Sequence, residues 1–495
     1  MVTESAFLNL PRELRDAIYR FYVSYDEGLV YKFDSGKMAP ANNEHRIDLA
    51  LSFTCKQVAS ELEGLILKSN TITFSSVYSD EIRVRAARFH NLRVPLTMEA
   101  ASFWYYEEET AVTVVHGCFD NGAAAQRPTF PPPEILALDS EFPAWSIPTD
   151  DELLKLSRPY AWKSVGFCDN HYCHSNRQLH TSEFWNGPHY HEWVNPLWER
   201  WGLRDQIQSD NRGKYRFSAA SVAIKFISSL PDRLRLHLRH IRLLENNVCV
   251  AFPESHAQGL ISFCVENPNL RVERRVNLWK AIVQQPNTYQ DEYTVNDLDH
   301  SPEGQYSRAF YGDQTGFTTV SITNTLALWI MEAAALGPAG MPKGSFTLVL
   351  DAGPGDVFAE VFQQYVQRDA AWQRAWEIAS QRTTGKTETE EQQADDAFIR
   401  LRSPRCYIYD GFPQAIDDIV NNKSKVIQCT FDPGLQLWDA EAESNKYKPH
   451  SADIWDNLRE EHTEMFYWRQ IEPLEYFAKT VYDEEILPYD ESDDD

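Results

Sequence analysis

Positive charge is scarce in this chain. Lys and Arg number 47 against 73 Asp and Glu, a formal net charge of −26 over 495 residues. Such a field repels a phosphate backbone, and no Lys/Arg block of nucleic-acid type interrupts it, so no nucleic-acid partner is expected. Long apolar runs are also missing. No stretch of about 18 uncharged apolar residues occurs, so no membrane partner is expected. Met1–Leu10 has neither the basic start nor the apolar core of a secretory signal. The eight cysteines are scattered, and Cys249 and Cys264 sit inside apolar stretches. That pattern reads as buried free thiols, not a disulfide framework. The expected location is the reducing cytoplasm or the nucleus.

Catalytic signatures are absent as well. There is no Gly-x-Ser-x-Gly elbow, no His-Glu-x-x-His, no kinase set and no Cys-x-x-Cys. The expectation is a non-enzymatic chain with no cofactor and no metal. Three constellations test that expectation. Cys168-x-x-His171-x-Cys173-His174, with His180, His189 and His191 nearby, gathers zinc-ligand types but matches no standard finger spacing. It reads as hydrogen-bonded histidines in a loop. The rings Phe184, Trp185, Tyr190, Trp193, Trp198 and Trp201 read as a core layer. Asp351–Asp356 is a Gly-rich turn between a strand and a helix. It lacks the Lys and Ser/Thr of a phosphate loop, and Asp356 suits a helix cap.

What the chain does have is material for a core: 43% hydrophobic residues, with 14 Trp, 26 Phe and 23 Tyr. These exclude wholesale disorder. Leu14, Ile18 and Phe21 fall at helical spacing after Pro11, with Glu13 and Asp16 early and Arg20 late in that helix. Gly28–Met38 predicts a hairpin. A second helix is expected from Asp48, with the stripe Leu51, Cys55, Val58, Leu62 and Leu65. Asn70–Phe74 alternates as a strand. Further on, a helix is expected over Phe217–Leu230, a strand over His240–Leu244, a helix over Ser255–Val265 and a strand over Leu270–Val276. Strand, helix, strand is the pattern of a parallel βαβ unit. Alternation over Arg233–Arg242 suggests a strand with one basic face. Helices are also expected over Asn324–Leu336 and Asp356–Arg382, flanking a strand at Phe346–Leu350.

Leu10-Pro11-x-Glu13-Leu14-Arg15-x-x-Ile18-Tyr19 resembles the start of an F-box. The blocks Ile47–Leu51, Thr54–Lys56, Val58-Ala59, Gly64-Leu65, Asn70–Phe74, His256–Arg271, Glu273–Val276, Phe346–Asp351 and Arg368–Gln373 extend the likeness. Taken together they resemble a group of uncharacterised filamentous-fungal proteins with an F-box-like N-terminal segment. The resemblance implies that Leu10, Pro11, Leu14, Ile18 and Phe21 form a partner-binding face for a Skp-type adaptor of a cullin ubiquitin ligase. An ordinary F-box has a short join between its first helices, whereas residues 23–46 intervene here.

The expected fold is α+β: an F-box-like helical module over 1–80, then a larger mixed α/β body over 81–382 with the βαβ-like segment. A disordered linker is expected over 383–397, a C-terminal helical part over 398–482 and an acidic tail over 483–495. The expected function is an intracellular interaction protein that recruits an unknown protein target to a ligase. Two alternatives stand beside it: a stand-alone scaffold with the F-box-like helices in its core, and an enzyme of unrecognised type with a site near 167–201.

Overall fold

Two neighbouring segments alternate at period two: His240–Glu245 and Arg271–Asn277. In each, every second side chain is buried. In a computed structural model these are the central strands of one sheet. The structure describes residues 6–42, 46–79, 143–149, 151–153, 215–283, 316–353, 357–384, 408–446, 462 and 465–467, with Ile82, Arg85, Ala86 and Phe89.

The sheet has seven strands in the order β2-β1-β3-β4-β5-β7-β8. They are β1 (Leu29–Lys32), β2 (Lys37–Pro40), β3 (Thr71–Ser75), β4 (His240–Glu245), β5 (Arg271–Asn277), β7 (Phe346–Asp351) and β8 (Ile427–Cys429). Only β2 runs antiparallel to its neighbour; β1, β3, β4, β5, β7 and β8 are mutually parallel. A two-stranded antiparallel ribbon, β6 (Gly316–Thr318) with β9 (Met465–Tyr467), lies outside this sheet.

Except for β2, each new strand is laid beside the previous one in chain order. Right-handed crossovers between parallel strands then place all connecting helices on one face of the sheet. The register agrees. One face carries Leu29, Ile72, Ile241, Val272 and Phe346 in one row, and Phe74, Leu243, Arg274, Leu348 and Ile427 in another. All ten are buried. Over them pack α4 (Ala219–Ser229), α6 (Ile261–Glu266), α7 (Thr319–Ala335), α8 (Val357–Val361), α9 (Gln367–Thr384) and α10 (Phe412–Val420). The other face carries Arg242, Glu273, Arg275 and Asp351, joined by Arg242 Nε–Glu273 at 3.0 Å, Arg275 Nε–Glu273 at 2.9 Å and Arg275 Nη1–Asp351 at 3.3 Å.

The fold is therefore mixed α/β with a mostly parallel sheet. Helices and strands alternate among the described residues, as the expected mixed α/β body with its βαβ-like segment implies, and the α+β class given to the chain as a whole is corrected to α/β. The sheet also spans the expected boundary between module and body, because β1 pairs with β3 and β3 pairs with β4 of the body. Gly28 makes the β1–β3 approach: its φ is +75°, and a Cβ there would lie 2.4 Å from the Thr71 carbonyl oxygen.

Four expected elements come out differently. The helix expected over Ser255–Val265 is a 3-10 helix over Pro253–Leu260 followed by α6, and the one expected over Asp356–Arg382 holds a π turn, Phe362–Val366, between α8 and α9. The helix expected from Asp48 is broken into a 3-10 turn (Ala50–Phe53), α2 (Lys56–Leu62) and α3 (Leu65–Ser69). The N-cap of the first piece is Leu49, and Asp48, one residue earlier, accepts from Ala50 N at 2.8 Å. Cys55 then turns extended and Gly64 left-handed, with φ −159° and +70°. A Cβ on Gly64 would meet the His237 ring at 2.3 Å, so the break lets α3 sit against the body. The strand expected over Arg233–Arg242 begins only at His240. Pro231 instead starts the short helix α5 (Asp232–Arg235), whose Arg235 is held by Glu266 and Asp232.

Candidate functional site

Helix α1 (Arg12–Val23) begins where Leu14 and Arg15 N–H groups donate to the Pro11 carbonyl. It presents two faces of opposite character. Arg15, Tyr19 and Val23, four residues apart, are buried. Leu14, Ile18 and Phe21, also one stripe, are 52%, 42% and 88% exposed.

This orientation is inverted relative to an ordinary surface helix, which turns its apolar stripe inward. The cause is Glu61 on α2. Arg15 grips it with two bonds, Nε to Oε2 at 3.0 Å and Nη2 to Oε1 at 2.7 Å. The Tyr19 hydroxyl donates to Oε2 at 2.7 Å, and Gln57 donates to Oε1 at 3.1 Å. Arg15 Nη1 also donates to the Leu10 carbonyl at 2.6 Å and that of Leu8 at 3.2 Å. A fork-to-fork Arg–carboxylate pair fixes direction as well as contact. It holds the Glu61 carboxyl down at about 2, chiefly through the Arg15 bond, while burial and then Glu61 push the Tyr19 phenol up to about 12. At the helix end, the Asn70 amide donates to the carbonyls of Val23 and Ile66, both at 2.8 Å, and accepts from Tyr25 N. Helix α1 is thus clamped at both ends with its apolar stripe outward.

Beside its last turn opens a groove of about 390 Å³. Val23, Ala59, Leu62 and Ile66 line it, with the carboxylates of Asp48 and Glu63 on its rim. Phe53, in the 3-10 turn that adjoins α2, is 82% exposed. Leu14, Ile18, Phe21, Leu49 and Phe53 are the large apolar side chains that the N-terminal segment leaves exposed. Of the five residues expected on a partner-binding face, Pro11, Leu14, Ile18 and Phe21 are exposed and Leu10 is half-buried, its carbonyl held by Arg15.

A second constellation was not foreseen. Glu245 ends β4 facing the helices and accepts from the Ala219 and Ala220 N–H groups, 3.0 and 3.2 Å, at the start of α4. Arg274 of β5 reaches the same carboxylate at 2.7 and 3.0 Å, donates to the carbonyls of Pro253 and Glu254, and lies 4.5 Å above the Trp329 ring. Next to it, Ser218 and Ser221 hydroxyls lie 2.7 and 3.0 Å from His256 Nδ1, and His256 Nε2 lies 2.6 Å from the Ala251 carbonyl. A carbonyl only accepts, so Nε2 carries the proton and Nδ1 accepts from serine. Serine beside an imidazole is the material of a nucleophile. Here Ser218, Ser221 and His256 are each at most 1% exposed, so no substrate atom reaches them. The network joins α4, β4 and β5. Its signal was in the sequence: Arg274 shares the parity of Val272 and Val276, which puts a cation on the covered face.

Among the described residues, no group of three or more His, Cys, Asp or Glu could hold a metal, and no helix is long and apolar enough to cross a membrane. The Cys168–His191 constellation, the ring cluster over 184–201, the linker over 383–397 apart from its first two residues, and the acidic tail lie outside the described residues. The Gly-rich turn is described as far as Gly353, whose N–H donates to Asp351 Oδ1 at 3.0 Å. Cys249 and Cys264 are buried free thiols, and burial raises both, Cys264 to about 11. No protein-family model, curated protein or solved structure matches the chain.

Proposed function

We propose that the chain is a non-enzymatic interaction protein that docks a Skp-type adaptor of a cullin ubiquitin ligase through the outward face of α1, and that its sheet-based body recruits a protein target. The observation that carries this reading is the inverted helix. Leu14, Ile18 and Phe21 stand in solvent because a buried ion pair holds the opposite face inward. An amphipathic helix offered this way suits a groove on a partner. The exposure of those side chains weighs against the scaffold alternative, which puts the F-box-like helices in the core.

Continuity of the sheet adds a mechanical element. The docking helix is bonded to Asn70, one residue before β3, and β3 pairs with β4. A partner on α1 would then be tied to the sheet through Asn70 and β3.

The test is co-purification. The unaltered chain is expected to retain a Skp-type adaptor, and Leu14→Asp with Phe21→Asp is expected to lose it. Phe21→Ala alone is expected to weaken binding about tenfold, as for a central aromatic anchor. Failure of the unaltered chain to retain any such adaptor removes the proposal.

A further inference from the structure

Parallel strands place all their amino ends along one edge of the sheet. In register, Thr71 lies opposite His240 and His240 opposite Arg271. Val272 lies opposite Phe346, and Leu348 opposite Ile427. Along that edge the sequence places Lys68, Arg239, His240, Arg271, Lys343 and Lys425. Five are exposed and Arg239 is half-buried. In a chain of net charge −26, a row of six basic residues needs a reason.

None of the six has a carboxylate partner among the described residues. Of the acids near this edge, Asp232 and Glu266 are paired with Arg235 and Asp417 with Lys423, while Asp26 and Glu27, at the amino end of β1, bound the row on the Lys68 side. The two arginines are set in the same way at adjacent strand ends. Arg239 Nη1 donates to the carbonyls of Leu236 and Leu238, at 2.8 and 2.7 Å. Arg271 Nη1 donates to those of Pro268 and Leu270, at 2.7 and 2.9 Å. The Arg271 N–H donates to the Arg239 carbonyl at 2.7 Å, so the residues are immediate neighbours. In each guanidinium one nitrogen is anchored, while Nε and Nη2 make no bond to the described residues. A guanidinium fixed in place loses little freedom on meeting a carboxylate.

We propose that this amino edge, from Lys68 to Lys425, is a docking site for an extended acidic segment of another protein, with Arg239 and Arg271 as its central anchors. Five strands at about 4.8 Å spacing make a row of roughly 20 Å, the length of about six extended residues. A polypeptide with a short run of Asp or Glu matches a single file of basic side chains. A nucleic-acid duplex presents charge over a broad surface rather than in a single file.

The site lies on a different part of the molecule from α1, and its test uses no adaptor. A fluorescently labelled oligoglutamate peptide is titrated with the full chain, with oligoglutamine of equal length as control. Saturable binding of oligoglutamate alone, weakened by added salt, is expected. Lys68→Glu with Lys343→Glu, two exposed side chains in no hydrogen bond or ion pair, is expected to weaken it about tenfold or more with the circular dichroism unchanged. Arg239→Gln with Arg271→Gln is expected to weaken it further. Absence of oligoglutamate binding, an affinity unchanged in the lysine variant, or tighter binding of an oligonucleotide of equal charge would each overturn the proposal.

Discussion

Two carboxylates, Glu61 and Glu254, respond to pH in opposite senses. The Arg15 fork holds Glu61 at about 2, below its ordinary 4.5. Its contribution is full above about pH 4.5 and is lost as pH falls toward 2. Glu254 is buried, with Oε2 unpartnered, and burial followed by the nearby Glu332 lifts it to about 7. The folded state therefore favours the protonated acid. That contribution is full below about pH 4.5 and is lost as pH rises through 7, a swing of about 3 kcal/mol at most. Glu254→Gln is expected to raise the melting temperature at pH 8 and leave it nearly unchanged at pH 4. Glu61→Gln is expected to lower it at pH 7, with the difference closing as the pH falls toward 2. Thermal melts across that range check both, and a flat Glu254 difference would remove the first.

For an element, burial rather than composition decides what a substitution does. Leu14→Asp and Phe21→Asp touch solvent on α1, so the melting temperature is expected to stay within about one degree even where docking is lost, an effect within roughly 0.5 kcal/mol. A fall of several degrees would mean that the stripe packs inside the molecule. Local period made much of this level readable. β4, β5 and β7 alternate or run apolar, α4 lies within the helix expected over Phe217–Leu230, and the Gly28–Met38 hairpin is β1 with β2. The stripe on α1 was readable too, but its direction was not. Direction depends on Glu61, 46 residues beyond Arg15, and no local period encodes that pairing. The same holds for Glu245 and Arg274, 29 residues apart. Alternation over Arg233–Arg242 misled because Pro231 favours a helical start, and Arg235 finds its carboxylates on that turn and on α6.

The whole molecule shares one central sheet, and its N-terminal segment supplies three of the seven strands. A module expected to end at residue 80 reads from sequence as separable. Pairing between β3 and β4, across residues 76–239, is long-range and leaves no local trace. Removal of residues 1–80 strips the partner from β4 and uncovers Ile241 and Leu243, which face the core beside Ile72 and Phe74. The truncated chain is expected to aggregate, since an open apolar edge templates further pairing. Recovery of a monomeric, cooperatively melting fragment 81–495 would show that the body folds alone. The strand order also has a consequence at the ribosome. β3 ends at Ser75, and the strand that must pair with it starts at His240. At about 5–20 residues per second the nascent chain waits on the order of ten to thirty seconds between them. Through that interval Ile72 and Phe74 have no β4 beside them, and the newborn N-terminal segment is a natural client for a chaperone that shields strand edges.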